Sequence, residues 1–443
     1  MDEQFKKGFF EFIAAADAEK VHSQTIGWIF SNDCDVFDSN EKRAILSELI
    51  YKDQYNTVDL TPKKVEVEVN DIDILITCSD NNLVVIENKI KSSQHSNQLF
   101  KYEYLTARNE ESAWQCYFQW KSQEECNKIR SQVDGDYKRF LEAIYERQKS
   151  NDFKWKLVNQ EKNPYYIYLT LIEEEPQGTK DKWNKLSYWR LYEVLSKYLS
   201  NKKHQNTENF WILKSYVSTI QNLSSAANLF IQKPKNFEFV FTVGKQAIEN
   251  IKPEELQDGT PQSYIKLLRL ETLLQKWFYS KLIEDLKSKN QELFKSIKYN
   301  IGETHGTALL DIVFNEIRIN GKAHIPILQF QGKAIKLAIV GSSNAETKEI
   351  LGKGDLISTR NSRKRKFAEG LSESQDFLEL TKLNNDVDEI TSKISTPKNA
   401  DGFLSININE SDMKFWQVEV DNREQFVINK IEQVQKIFQK LNG

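Results

Sequence analysis

The segment Val65–Lys89, VEVEVNDIDILITCSDNNLVVIENK, constrains this chain more than any other. Val65 to Val69 alternates apolar and acidic residues, as a half-exposed strand does. Ile72, Ile74 and Ile76 alternate with Asp73, Leu75 and Thr77. Ser79 to Asn82 is a turn by composition, and Leu83 to Ile86 is a short apolar run of strand-forming residues. The pattern predicts a hairpin that carries Asp73 on one strand and Glu87-Asn88-Lys89 at the end of the next. Strand residues two apart share a face. Glu87 and Lys89 therefore point one way and Asn88 the other, and Asp73 can meet Glu87 across the hairpin. Two carboxylates beside a lysine can hold a hard divalent cation next to a phosphate, and the backbone carbonyl of Asn88 adds an oxygen ligand. Short patterns of this kind also arise as ordinary surface charge.

Strand alternation puts Asp71 on the same face as Asp73, so facing alone does not choose between them. Glu66 and Glu68 read as a solvated strand face, with a ligand role as the alternative. After Lys89, Gln98 to Leu105 (QLFKYEYL) reads as a helix that places Gln98 and Tyr102 on one face.

These residues resemble the PD-(D/E)XK nuclease superfamily. Asp73, Glu87, Lys89, Gln98 and Tyr102 follow the order of its strand acid, its E-x-K and its Q-x-x-x-Y. IENKI followed by QLFKY is similar to a prokaryotic branch with an I-E-N-K-I signature. AEKVHSQTIGWIF, Ala18 to Phe30, resembles that branch's opening helix. YYIYLTLIEEEPQG, Tyr165 to Gly178, resembles its fourth core strand, and LSYWRL, Leu186 to Leu191, its next helix. The Pro-Asp that names the superfamily is absent, because Ile72 precedes Asp73.

The resemblance implies an α/β, restriction-endonuclease-like mixed-sheet core flanked by helices. It implies a metal-dependent nuclease with Mg2+ or Mn2+ as cofactor; the resemblance favours DNA as substrate, and an RNA-directed nuclease is the alternative. The implied metal ligands are Asp73, Glu87, Asn88 and Glu19, with a solvent-facing helix charge as the alternative for Glu19, and Asp73 is preferred over Asp71 because it lies inside the apolar run. Gln98 orients phosphate or water in this reading, and Tyr102 supports the site. An anti-phage defence or restriction role follows from the family's habits. The alternative is a nuclease fold that has lost its chemistry and serves as a nucleic-acid-binding or scaffold protein. The intact Asp73, Glu87 and Lys89 weigh against that alternative.

His22 reads as a satisfied packing histidine and Ser23 as a helix cap. Cys34, Cys78, Cys116 and Cys126 are too scattered for a paired zinc site and fit a reducing compartment. No apolar run approaches the ~20 residues of a membrane helix. The N-terminal segment Met1–Lys20 reads as an amphipathic helix, not a signal peptide. These features predict a cytoplasmic protein with no membrane partner. A net charge of −3 argues against polycation-like binding, while leaving room for a local basic channel.

The 443 residues predict two or three domains. Residues 1–233 read as the nuclease domain, with a helical insertion at about 110–150 whose aromatics form its own core, with stacking on nucleic-acid bases as the alternative. Lys182–Tyr198 and Asn209–Leu223 read as helices. Residues 234–443 read as an α+β module for recognition, regulation or homo-oligomer assembly. It is expected to hold a strand at Asn236–Gly244 and one long helix over Ser263–Leu286. Strands follow at Ile297–Asn300, Ala308–Phe314, Ile325–Gln331 and Ile335–Val340, then a strand at Lys414–Val420 and a helix at Arg423–Leu441. Between them, 342–401 reads as a polar loop. Within it Arg360, Arg363, Lys364, Arg365 and Lys366 put five basic residues in seven, as a phosphate grip or a solvated charge run.

Overall fold

In the computed structural model, the described residues are 5, 7–51, 58–69, 71–91, 98–107, 164–172, 174–176, 182–202, 206–242, 259–304, 306–319, 322–331, 334–341, 356–395, 403–408 and 420–441. They form two compact units. The first comprises Met1–Leu229 with Gln257–Arg269, and the second Phe230–Leu256 with Leu270–Gly443. The expected division at 233/234 is therefore displaced, because Gln257–Arg269 returns to the first unit. One bond explains part of this return. Tyr264 donates its hydroxyl to the buried carboxylate of Glu11, which also accepts from Thr219 and the Gly8 amide.

The first unit opens with α1 (Phe9–Phe12), α2 (Glu19–Phe30) and α3 (Ser39–Tyr51). Among the described residues of Met1–Lys20, where one amphipathic helix is expected, helix is limited to α1 and the start of α2, and Ala14 between them takes φ +54°. Then come β1 (Pro62–Val69), β2 (Ile72–Cys78), β3 (Leu83–Lys89), α4 (Gln98–Leu105), β4 (Tyr165–Thr170) and β5 (Trp183–Ser187). Helices α5 (Tyr188–Ser200) and α6 (Glu208–Gln232) follow, and α7 (Pro261–Leu267) completes the unit. The sheet runs β1-β2-β3-β4-β5. Its first three strands are antiparallel and its last two join parallel to β3 and β4.

This mixed order sets two different faces around β3. Leu75, Val85, Tyr166, Tyr168 and Trp183 form a core with Leu99 and Tyr102 of α4. The buried Glu103 ties α4 to β5, accepting from Trp183 Nε1 at 2.9 Å and Lys182 Nζ at 2.8 Å. Helix α2 packs on β1, β2 and β3. It comes so close at Gly27 that a Cβ there would stand 2.4 Å from Val67 Cγ2. The helix expected over Lys182–Tyr198 starts as β5 instead. Its first residues sit beside Tyr166–Thr170 in parallel register, and Ser187 caps α5 by accepting from the Arg190 amide. The insertion at 110–150 lies outside the described residues.

The second unit contains a sheet in the order β11-β10-β9-β7-β6, with β8 on β9. The strands are β6 (Lys298–Thr304), β7 (Thr307–Val313), β8 (Ile317–Ile319), β9 (Lys322–Gln331), β10 (Ala334–Gly341) and β11 (Leu404–Asn407). Its helices are α8 (Glu271–Lys289), α9 (Leu293–Ser296), α10 (Leu356–Ser372), α11 (Gln375–Thr381), α12 (Val387–Lys393) and α13 (Val420–Leu441). Three expectations are corrected here. The described residues of Asn236–Gly244 do not form a strand; Pro234–Thr242 is a 3-10 helix kinked at Phe237, and Phe237, Phe239 and Val240 are buried. The helix over Ser263–Leu286 is two helices, α7 and α8, broken where Arg269 takes φ +53°. The loop at 342–401 holds α10, α11 and α12, with Phe367, Ala368, Leu371, Phe377 and Ile390 buried in place of solvated. The strand expected at Lys414–Val420 falls outside the described residues except Val420, which begins α13.

Candidate active site

Antiparallel register builds the site. Ile74 pairs with Ile86, which puts Asp73 opposite Glu87 at the next position of the ladder. Both project onto the α4 face, with Lys89 two residues along the same strand. Asp73 Oδ2 accepts from the Asn88 amide at 2.8 Å, so the backbone of β3 fixes one carboxylate directly. The Lys89 ammonium lies 2.7 Å from Glu87 Oε1.

Glu87 is wholly buried, and neither of its carboxylate oxygens meets a donor in hydrogen-bonding geometry. Burial, with the neighbouring Asp73 charge, pushes its pKa up to about 8. Burial also raises Asp73, against the pull of the Asn88 amide and Lys89. Burial works against charge on Lys89, but Glu87, Asp73 and Glu19 together hold its pKa above the ordinary value. The ammonium is thus firmly protonated, and the two carboxylates need more positive charge than one lysine supplies.

A divalent cation fits this need. Within a strand, a residue's N–H and C=O leave from the same edge. The Asn88 carbonyl therefore lies on the β2 side with its amide, near Asp73. Among the described residues no group of three or more His, Cys, Asp or Glu side chains converges. The protein donors are then two carboxylates and one carbonyl, all hard oxygens, with the other positions open to water and phosphate. Mg2+ and Mn2+ suit such a set, because they retain waters and favour oxygen ligands.

The remaining expected residues are placed as follows. Asp71 is outside β2, in a turn with φ +63°, and its exposed carboxylate pairs with Lys101. The alternation that put it beside Asp73 does not reach it. Glu66 pairs with Lys64 at 2.7 Å, and Glu68 is exposed. Glu19, at the start of α2, reaches the strand end by another route. Its Oε1 accepts from the amides of Ile90 and Lys91 at 2.9 and 3.0 Å, which holds the chain just beyond Lys89. The Asn88 side chain points to the α2 face, where it is fully engaged, so only its carbonyl is a candidate ligand. Gln98 donates from Nε2 to Tyr102 Oη at 2.7 Å, and its buried Oε1 has no partner. The Tyr102 hydroxyl donates to the Asp71 carbonyl.

Lys364, Arg365 and Lys366 lie on α10, where the side chain of Lys364 is half-buried and the other two are exposed. Arg365 pairs with Asp388 at 2.9 Å and with Glu369 at 3.4 Å. Arg360 and Arg363 are on the same helix, in the second unit, whereas the carboxylates belong to the first. Sequence reasoning gave no role to Tyr188 or Tyr216, which stand behind the site. Tyr188 falls within LSYWRL, but nothing in that motif shows that its hydroxyl meets Asn88.

Residues 7–218 match the family model described as PD-(D/E)XK nuclease superfamily. No curated protein and no solved structure matches the chain.

Proposed function

We propose, from a chain that belongs through residues 7–218 to the PD-(D/E)XK nuclease superfamily, that it is a divalent-metal-dependent nuclease hydrolysing phosphodiester bonds of DNA. One observation carries the reading. Glu87 is a fully buried carboxylate opposite Asp73, and the two share one ammonium, that of Lys89, 2.7 Å from Glu87. Two buried carboxylates that share one ammonium leave the site short of positive charge, and a divalent cation would complete it. When bound, the metal supplies Lewis-acid polarisation of the phosphate and a more acidic water.

The residues divide the work. Asp73 and Glu87 present oxygen ligands, and the Asn88 amide keeps Asp73 from rotating away. Lys89 stays protonated and offers positive charge to the phosphate oxygens as they gain charge. In hydrolysis a water oxygen bonds to phosphorus and gives up a proton to solvent, the bond from phosphorus to the leaving oxygen breaks, and that oxygen takes up a proton from solvent. Gln98 presents its unpartnered Oε1 as an acceptor for water near the carboxylates, with its amide group held by Tyr102.

A defence or restriction role in a prokaryotic cytoplasm is the biological setting we infer from the family resemblance. The second unit serves recognition, control or assembly in this reading. The test is cleavage of supercoiled DNA, linear DNA, single strands and tRNA in parallel, with and without Mg2+ or Mn2+. Cleavage lost in Asp73→Ala and Lys89→Ala supports it. Metal-independent cleavage, or cleavage untouched by those substitutions, refutes it. Cleavage of tRNA alone would replace DNA by RNA.

A further inference from the structure

The face of the sheet opposite the carboxylates holds a chain of polar groups sealed from solvent. Asn88 is at its centre and is wholly buried. Its Oδ1 accepts from the Tyr188 hydroxyl of α5 at 2.6 Å. Its Nδ2 donates to the Glu19 carbonyl and to Ser23 Oγ, both at 3.0 Å, on α2. Both donors and the acceptor of the amide are therefore used. Tyr188 meets the His22 ring edge-on, with centroids 5.3 Å apart.

The tautomer of His22 follows from its partners. Nε2 lies 2.9 Å from the Ala16 carbonyl, which can only accept, so Nε2 carries the proton. Nδ1 is then an acceptor, and the Tyr216 hydroxyl of α6 donates to it at 3.1 Å. Burial lowers the His22 pKa to about 4, so the ring is neutral at ordinary pH and this arrangement does not change with it. Tyr188 and Tyr216 have no solvent exposure and His22 almost none.

Such a network is costly to bury unless every group is satisfied. An apolar residue at position 88 would fill the same core without it. Any residue here would carry the same amide and carbonyl; what the Asn88 side chain adds is anchorage, to α2 and α5, of the peptide whose amide holds Asp73. The side chain is locked on one face of β3, and the peptide group presents the metal site at its edge. We infer that Tyr188 is a positioning residue: by fixing the Asn88 side chain it sets where the Asn88 amide holds Asp73 and where the Asn88 carbonyl faces the cation. His22 and Tyr216 hold Tyr188 in turn. This inference rests on the metal-site reading above.

The test is calorimetric titration of Mn2+ into the full chain without nucleic acid. Tyr188→Phe removes one oxygen and keeps the ring. We expect its Mn2+ affinity to fall about three- to tenfold, as for loss of one buried hydrogen bond acting on the site. Ser23→Ala, which removes the second side-chain partner of Asn88, should shift affinity in the same direction and decides the matter if Tyr188→Phe does not fold. In an Asn88→Ala background, Tyr188→Phe should cost nothing further, because the coupling runs through that side chain. Cleavage by Tyr188→Phe should recover at saturating Mn2+ with KM for the nucleic acid unchanged. A merely structural role would lower the melting temperature and leave Mn2+ affinity as it is. Equal Mn2+ affinity in wild type and in folded Tyr188→Phe, or an undiminished effect in the Asn88→Ala background, overturns the inference alone. A wild-type chain that binds no Mn2+ overturns the metal-site reading with it.

Discussion

Metal binding at Asp73 and Glu87 should depend on pH in a way that the burial of Glu87 sets. Its pKa stands at about 8 without a cation, raised by burial and then by Asp73. A cation binds the carboxylate and not the carboxylic acid, so Glu87 must lose its proton first. The apparent affinity is reduced by the protonated share, which is a factor of about two at pH 8, about eleven at pH 7 and about a hundred at pH 6. Above pH 9 the dependence should level off. Asp73 is raised in the same direction and can only steepen the acid side. Lys89 stays charged across this range because its pKa lies above the usual lysine value.

The same shift acts on stability, and its sign is opposite to that of an ordinary surface carboxylate. Between the usual glutamate value, near 4.3, and about 8, the folded state binds more protons than the unfolded state, so stability falls as pH rises through that window. Mn2+ should restore what is lost, most at the alkaline end. The assay is calorimetry from pH 6 to 9 in buffers of different ionisation enthalpy. About one proton should leave per Mn2+ at pH 6 to 7, falling to about half at pH 8 and little at pH 9. Affinity constant from pH 6 to 8 with no proton release would refute the reasoning, because Glu87 would then be ionised already or absent from the site.

Three further outcomes follow from the geometry. Asp73→Ala and Glu87→Ala should abolish both cleavage and Mn2+ binding, whereas Lys89→Ala should abolish cleavage and leave Mn2+ binding; equal loss of metal affinity in all three would end the proposed division of roles. Gly27→Ala should lower stability by about 1–3 kcal/mol, because its Cβ must displace Val67 or move α2 off β1; an unchanged denaturant midpoint would show that the contact gives way freely. If α10 grips phosphates, replacing Lys364 and Lys366 by alanine should reduce the salt slope of nucleic-acid affinity by up to about 0.9 per residue; an unchanged slope would make them solvated charge.

Alternation and turn chemistry were enough to place Asp73 opposite Glu87, because strand periodicity fixes facing and a short turn fixes register. The facing of Lys89 and the outward turn of the Asn88 side chain came from the same rule. It failed at Asp71, since a left-handed residue between two strands breaks the alternation; the signal was there in Asn70-Asp71, a pair of residue types that favour turns and tolerate positive φ. Local pattern also misread Asn236–Gly244. Its apolar residues are buried on a 3-10 helix, and only the surrounding core selects between two short apolar conformations. Residues 356–393 looked like loop because their charge hides a sparse apolar face, which helix packing then uses.

What tertiary structure alone decided is the support of the site. Glu19 lies 71 residues before Ile90, Tyr188 lies 100 residues after Asn88, and Tyr216 lies 194 residues after His22. No spacing rule links such positions, because their contact is set by how α2, α5 and α6 close over the sheet and not by the period of any one element. The sequence by itself determined the chemistry of the hairpin, since its carboxylates and lysine are local to two neighbouring strands. The burial that pushes Glu87 up to about 8, and with it the expected demand for a cation, belongs to the packed fold. Desolvation depends on every element that excludes water from the carboxylate, and most of those elements are distant in the chain.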